Sequence, residues 1–243
     1  ARALRQGFVY EGQYSRFRGR SHGRPLAPLS GRQLVGYLQN HDQVGNRARG
    51  DRLSALISAQ RCRAAAALLL TAPFIPLVFQ GEEWGTRAPF PYFCDHQDPD
   101  LVRAVREGRQ REFAAFGWRA EDIPDPQAPA TFAAARLCWE ERSAPEHAAM
   151  LAWYRTLIAL RRAEPDLNDG RLDRCRVRAD GRGWLVMTRG AITVACNFAA
   201  DGQRVELDAA DGETAAILAA VGDADVSAHA VALGPDAAVI LRR

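Results

Sequence analysis

The residues whose types could do chemistry gather at two places. Asn40-His41-Asp42-Gln43, with Asn46-Arg47 close behind, follow the short apolar run Gln33 to Leu38. Gly81-Glu82-Glu83-Trp84-Gly85 follow a second such run, Pro76 to Gln80. Polar side chains this dense at the end of a buried strand need hydrogen-bond partners or an open cleft. A carboxylate beside an imidazole can hold sugar hydroxyls, bind a metal, or serve as acid or base. Asp42 can equally cap the turn that follows it, a common task for Asp at a strand end. Two carboxylates across a scissile bond are the minimum equipment of glycoside hydrolysis, and Asp42 with Glu82 makes the naive pair. Trp84, Phe90 and Tyr92 on the intervening loops could stack on sugar rings, although each is more often ordinary packing.

A metal centre fits less well. Adjacent His-Asp also marks metal-dependent phosphohydrolases, where the dyad sits on helices among further His and Asp ligands. Here Leu34-Val35-Gly36-Tyr37-Leu38 reads as a strand, and the remaining His residues lack carboxylates at ligand spacing. No metal and no cofactor are expected.

The elements that must hold these clusters read as an α/β pattern. Between the two apolar runs, Ser54 to Leu70 has helical spacing, with Leu56, Ile57, Ala64 and Leu68 on its apolar side, and Thr71-Ala72-Pro73 ends it. Strand, polar tip, helix, strand, polar tip is the order of a parallel sheet, whose sites lie at the carboxyl ends of its strands. Ahead of it, Ala1 to Gly7 reads as a helix tail and Phe8 to Pro28 as a loop rich in Arg and aromatics. After it, Asp98-Pro99 predicts a helix to Phe116 with Leu101, Val105, Phe113 and Phe116 on one side. Ser143 and Glu146 predict a capping box for a helix that Pro165 stops. From Asn168 the period becomes that of strands. A hairpin is expected from Cys175 to Thr188 around Asp180-Gly181, followed by strands near Ile192–Asn197, Val205–Leu207, Ala215–Leu218 and Val239–Leu241. The fold class is therefore α/β plus all-β, with domains at 1–167 and 168–243.

Bulk composition narrows the function classes. The 243 residues are 47% hydrophobic, enough for a sizeable core, and 32 basic against 29 acidic residues leave a formal charge of +3. That charge gives no field for nucleic acid. Every basic residue is Arg and none is Lys, which reads as a bias towards GC-rich codons. The five Cys are scattered without a Cys-x-x-Cys pair, as expected of free thiols in a reducing cytoplasm. The longest apolar run, Ala64 to Leu70, is too short for a membrane span. The start at Ala1, without Met and inside a helix-like phrase, suggests a piece of a longer chain, and no signal peptide is expected. The oligomeric state is left open.

Leu38-Gln39-Asn40-His41-Asp42-Gln43-Val44-Gly45-Asn46 resembles the fourth signature region of the α-amylase clan, glycoside hydrolase family 13. That region closes strand 7 of a (β/α)8 TIM barrel. Pro76 to Glu83 then resembles the strand 8 phrase, and the terminal strands the clan's small antiparallel β-sandwich. The resemblance implies that Asp42 is the transition-state-stabilising aspartate and that His41 binds sugar at the cleavage subsite. Asn40, Gln43, Asn46 and Arg47 are placed to line the same cleft, or to brace its loop. The clan's nucleophile Asp and acid/base Glu belong to strands 4 and 5, upstream of anything in these residues. Glu82 is then not the acid, and the chain by itself is expected to be inactive.

Narrower phrases resemble the malto-oligosyltrehalose trehalohydrolase family within that clan. They are Phe8 to Ser15 with Arg18-Gly19-Arg20, Asn46 to Arg52, Ala104 to Arg109 with Glu112-Phe113, and Asp125-Pro126-Gln127 with Thr131-Phe132. The implied reaction is retaining hydrolysis of the α-1,4 bond next to the terminal trehalose of an α-glucan substrate. The rivals are a glucan branching enzyme of the same clan and a non-catalytic glucan-binding fragment.

Overall fold

The computed structural model describes residues 1–26, 29–207 and 215–243. Along the chain come α1 (Arg2–Gln6), β1 (Glu11–Ser15), β2 (Arg20–Gly23), β3 (Val35–Gly36), α2 (His41–Gly45), α3 (Leu53–Leu56), α4 (Ala59–Thr71) and β4 (Ile75–Pro76). Next are the helices α5 (Pro99–Ala114), α6 (Pro129–Ala134), α7 (Pro145–Ala163) and α8 (Pro165–Asn168). The strands β5 (Cys175–Ala179), β6 (Trp184–Arg189), β7 (Ile192–Asn197), β8 (Gln203–Glu206), β9 (Ala216–Val221), β10 (Ala224–Val226), β11 (Ala230–Leu233) and β12 (Ala238–Arg242) complete it. Two units emerge: residues 1–38, 60–77 and 152–243 form the first, and 39–59 with 78–151 the second.

In the first unit β3 and β4 pair in parallel, Val35 opposite Ile75 and Gly36 opposite Pro76. Parallel neighbours need a crossover connection, and α4 lies within the one between them. The ladder is shorter than the apolar runs suggest. Gly31–Gln33 is a 3₁₀ turn capped by the Ser30 hydroxyl, so extended backbone begins only after it. Gly31 also lies against the Pro73 carbonyl, where a Cβ would come within 2.3 Å of the oxygen.

Two arginines, half-buried Arg161 and buried Arg189, complete the end of α4. Arg161 donates to the carbonyls of Leu70 and Ala72 at 2.8 Å and of Phe74 at 2.7 Å. Arg189 of β6 donates to those of Thr71 at 2.6 Å, Leu167 at 3.2 Å and Asp169. The last carbonyls of a helix have no partner within it, and a cation there also meets the negative end of the helix dipole. Burial lowers the pKa of both guanidiniums, that of Arg189 to about 10, which leaves it charged at neutral pH.

The terminal strands form a five-stranded antiparallel sheet, β5-β6-β7-β12-β9, and a three-stranded one, β10-β11-β8. Val186, Ala195, Val239 and Leu241 from the first share a core with Val205, Val231 and Leu233 from the second. The expected hairpin is β5–β6, its turn held by the Arg182 amide donating to Asp180 at 2.9 Å. β10 and β11 escape the sequence pattern because Gly222, Asp223, Asp225, Ser227 and His229 interrupt it.

Several expectations need correction. The expected loop from Phe8 contains the hairpin β1–β2, which turns through Gly19 at φ +62°; Ala27 and Pro28 of that loop lie outside the described residues. The helix expected from Ser54 breaks at Ile57, which is extended, separating α3 from α4. On α5, Asp98 caps as predicted, accepting from the Asp100 amide at 2.8 Å, and Phe113 is buried, but Leu101 is exposed and Phe116, beyond the helix end, is exposed too. Ser143 makes no capping box. It closes a 3₁₀ turn, Trp139–Ser143, by donating to the Glu140 carbonyl at 2.8 Å.

Replacing Arg189 with Leu leaves three carbonyls without their donor, at a cost of about 1–3 kcal/mol for each that stays buried. Urea denaturation of the chain should show a loss of about 3 kcal/mol or more. Arg189→Lys should recover only part of it, since a compact ammonium cannot span three carbonyls from two segments as the planar guanidinium does. Arg171→Ala, at an exposed pair with Asp173, should leave the midpoint unmoved.

Candidate active site

The polar cluster after β3 in sequence is helical at its core. Asn40 is extended and is the N-cap of α2, its side-chain oxygen accepting from the Asp42 amide at 2.8 Å. The Gln43 side-chain oxygen accepts in return from the Asn40 amide at 3.1 Å. This is a reciprocal capping box, which satisfies two amide donors at the start of the helix. Asn40, not Asp42, is therefore the cap, and the dyad lies on a helix where the sequence suggested a strand tip. The physical reason is local: Asn followed three residues later by Gln makes a better helix start than a strand end.

Capping fixes the backbone and leaves the dyad facing outward. The side chains of His41 and Asp42 are 70% and 66% exposed, with His41 Nε2 3.4 Å from Asp42 Oδ1. Asn46 and Arg47 are exposed on the following turn. The Asn46 amide donates to the Asp42 carbonyl at 3.1 Å, and Arg47 Nε stands a loose 3.8 Å from Asp51. The six residues singled out in sequence thus share one short segment. Asn40 and Gln43 serve its backbone, while His41, Asp42, Asn46 and Arg47 present side chains to solvent.

Sequence reasoning missed the residues that hold this segment in place. Buried Gln39 accepts from the Leu53 amide at 2.9 Å and closes the base of the loop. Arg52, only 1% exposed, donates to the carbonyls of Ala88 at 2.6 Å and Gln80 at 2.7 Å, with its guanidinium 4.9 Å from the Phe79 ring centre. Gly50 has φ +69° and lies against the backbone of Phe90 and Pro91, where no Cβ fits. Arg109 of α5 donates to the Gly45 carbonyl at the end of α2, at 2.8 Å. All four fall in phrases that the sequence had marked, but none was given this role, and nothing local distinguishes Arg109 from other helix-surface arginines.

The second cluster has a different character. Glu82 is buried in a 3₁₀ turn, Glu82–Trp84, set between left-handed Gly81 and Gly85. Burial lowers the Arg52 pKa, and the charges of Glu82, Glu83 and Glu141 oppose that shift. Thr86 donates to Glu141 at 2.8 Å, and the His147 ring lies 2.7 Å from the Trp84 carbonyl. This is an interior charge network that braces the loop through Arg52. The naive Asp42–Glu82 pair fails because one carboxylate is exposed and the other belongs to that interior. Trp84 is buried, Phe90 is half-buried between Phe79 and Phe93, and Tyr92 is exposed. Among the described residues, no group of three or more His, Cys, Asp or Glu side chains could hold a metal ion.

No protein-family profile matches the chain. Over its whole length it is 42% identical to a malto-oligosyltrehalose trehalohydrolase of Brevibacterium helvolum and 43% identical to one of Rhizobium sp. (strain M-11), covering 41% and 40% of them. Over 204 residues, 83% of the chain, it is 46% identical to one of Mycobacterium tuberculosis, covering 35% of it. These relatives are all malto-oligosyltrehalose trehalohydrolases, and the chain is similar to a part of each. It spans about two fifths of the length of these relatives. A solved structure described as a candidate alpha amylase of Salmonella typhimurium matches all of the chain with TM-score 0.85 and 36% identity, over 41% of its own length. A variant of the trehalulose synthase MutB matches 86% of the chain, at 43% of its own, with TM-score 0.55 and 19% identity, a likeness of fold alone. The fold is that of the α-amylase family. Among the described residues, no helix is long and apolar enough to cross a membrane.

Asn40→Ala should destabilise the loop by about 1 kcal/mol, the usual worth of an N-cap. Amide hydrogen exchange at Asp42 should quicken in Asn40→Ala and stay slower in Asn40→Ser, which keeps a capping oxygen.

Proposed function

We propose that these residues form one wall of the active site of a malto-oligosyltrehalose trehalohydrolase. The complete enzyme would hydrolyse the α-1,4 bond next to the terminal trehalose and release trehalose. The supporting observation is an exposed carboxylate beside an exposed imidazole on a rigidly capped turn, in a chain that is 42–46% identical to relatives of that name. In this reading residues 1–167 belong to the (β/α)8 barrel, with β3 and β4 in its strands 7 and 8. Residues 168–243 are a terminal β-sandwich domain. The partner is an α-glucan, and the enzyme works in the cytoplasm.

The reaction runs with retention, through a glycosyl-enzyme and an oxocarbenium-like transition state. Two further carboxylates, the nucleophile and the acid/base, come from elsewhere in the complete enzyme. Asp42 accepts hydrogen bonds from ring hydroxyls, and these bonds strengthen as positive charge develops on the sugar. Only interactions stronger in the transition state than in the ground state accelerate the step. The capping box makes this effective: the backbone of Asp42 is fixed before substrate arrives, so little reorganisation is needed as charge develops. His41 orients the ring on which Asp42 acts. Asn46 and Arg47 line the cleft beyond, and Asn40 and Gln43 contribute through the turn they hold.

Asp42→Asn in the complete enzyme should lower kcat for trehalose release by about 10²–10³-fold, the range of preorganised electrostatic groups, with a smaller change in KM. The 243-residue chain alone should release none. Trehalose quantified from malto-oligosyltrehalose checks both, and branched products from amylose would point instead to transfer onto sugar. Near-normal kcat in Asp42→Asn would remove Asp42 from the mechanism.

A further inference from the structure

Tyr92 differs from the other loop aromatics. It is 40% exposed, and one face of its ring is covered by the Arg109 guanidinium, 4.9 Å from the ring centre. The same guanidinium lies 4.9 Å from the ring centre of buried Phe113. Tyr92, Arg109 and Phe113 thus pack together, the Phe113 end buried and the Tyr92 end exposed. Arg109 is held by the Gly45 carbonyl, and burial lowers its pKa while Glu112 and Tyr92 oppose the shift.

The stack is tied to the candidate site. Gly45 closes α2 four residues after His41, and residues so spaced lie on one helix face about 5–6 Å apart. A Cβ on Gly45 would stand 3.7 Å from the Phe90 carbonyl oxygen and 3.9 Å from the Tyr92 amide nitrogen. The segment carrying Tyr92 therefore runs against the last turn of the helix whose first turn carries His41 and Asp42. A large aromatic ring, rigid and half wet, next to exposed polar groups suits a ligand with an apolar face and a hydroxylated rim. A pyranose ring has both.

We propose that Tyr92, backed by Arg109, is a sugar-stacking platform that takes a neutral pyranose ring of the glucan one subsite away from the ring held by His41 and Asp42. This rests on the active-site reading above for its substrate class. Arg109 is a positioning residue in this scheme, since it fixes the ring and the end of α2 together. The rigidity of the stack lowers the ordering cost of binding.

The test uses the complete enzyme in two backgrounds. In the Asp42→Asn background, malto-oligosaccharide binding is measured by calorimetry for Tyr92, Tyr92→Phe, Tyr92→Ala and Tyr92→Leu. Tyr92→Phe should bind as Tyr92 does, and the Ala and Leu forms should bind about tenfold more weakly, the worth of one stacked ring. Leu retains apolar volume, so it serves if Ala does not fold. With Asp42 present, the same changes should raise KM and leave kcat within about twofold, the signature of uniform binding. Unchanged binding in the Leu and Ala forms would overturn the platform whatever the turnover. Weakened binding in an enzyme that releases no trehalose would uphold the platform and sink the proposed reaction instead.

Discussion

Buried and half-buried arginines donating to backbone carbonyls are the constraint on which both units depend. Arg161 and Arg189 complete the end of α4 in one; Arg52 and Arg109 hold the Asp42 loop in the other. Each is desolvated enough to have its pKa lowered, and each bonds main-chain oxygens in place of a carboxylate. A planar guanidinium can bridge carbonyls from separate segments, which a point-like ammonium cannot. The all-arginine composition, which reads in sequence as codon bias, therefore has structural consequences at these four positions.

For the candidate site the consequence is a division of labour. Interior groups fix the loop: Gln39 at its base, Arg52 at its return, Gly50 against the Phe90–Pro91 backbone, and Arg109 at the end of α2. The capping box then sets the first turn, and the dyad needs no partner in the interior. His41 and Asp42 face solvent while other residues supply the order. A carboxylate intended to act on a developing cation benefits from that arrangement, since its position does not have to be established during the reaction.

How much of this was legible in the sequence differs from level to level. The parallel β3–β4 pair, the α5 cap at Asp98, the end of α7 before Pro165 and the β5–β6 hairpin follow from local chemistry, and the chain announces them. The six candidate residues lie within the short segment 40–47, so one motif contains them. Their division between backbone service and display could not be read, because it depends on whether Asn40 begins a helix or ends a strand. Glu82 made only a naive pair with Asp42, because a one-dimensional pattern shows charge but not burial. The bracing roles of Gln39 and Arg109 were invisible for the opposite reason: their partners, Leu53 and Gly45, are backbone groups distant in sequence, and backbone leaves no compositional trace.

The central claim is that Asp42 acts on positive charge developing in the sugar ring. The most direct measurement compares, in the complete enzyme, how Asp42→Asn changes the affinity of a cationic ring-nitrogen sugar mimic and of a neutral malto-oligosaccharide of equal length. Transition-state complementarity predicts that the cationic mimic loses at least about tenfold more affinity than the neutral sugar. Equal losses for the two ligands would contradict it and leave Asp42 as a simple hydroxyl-binding group.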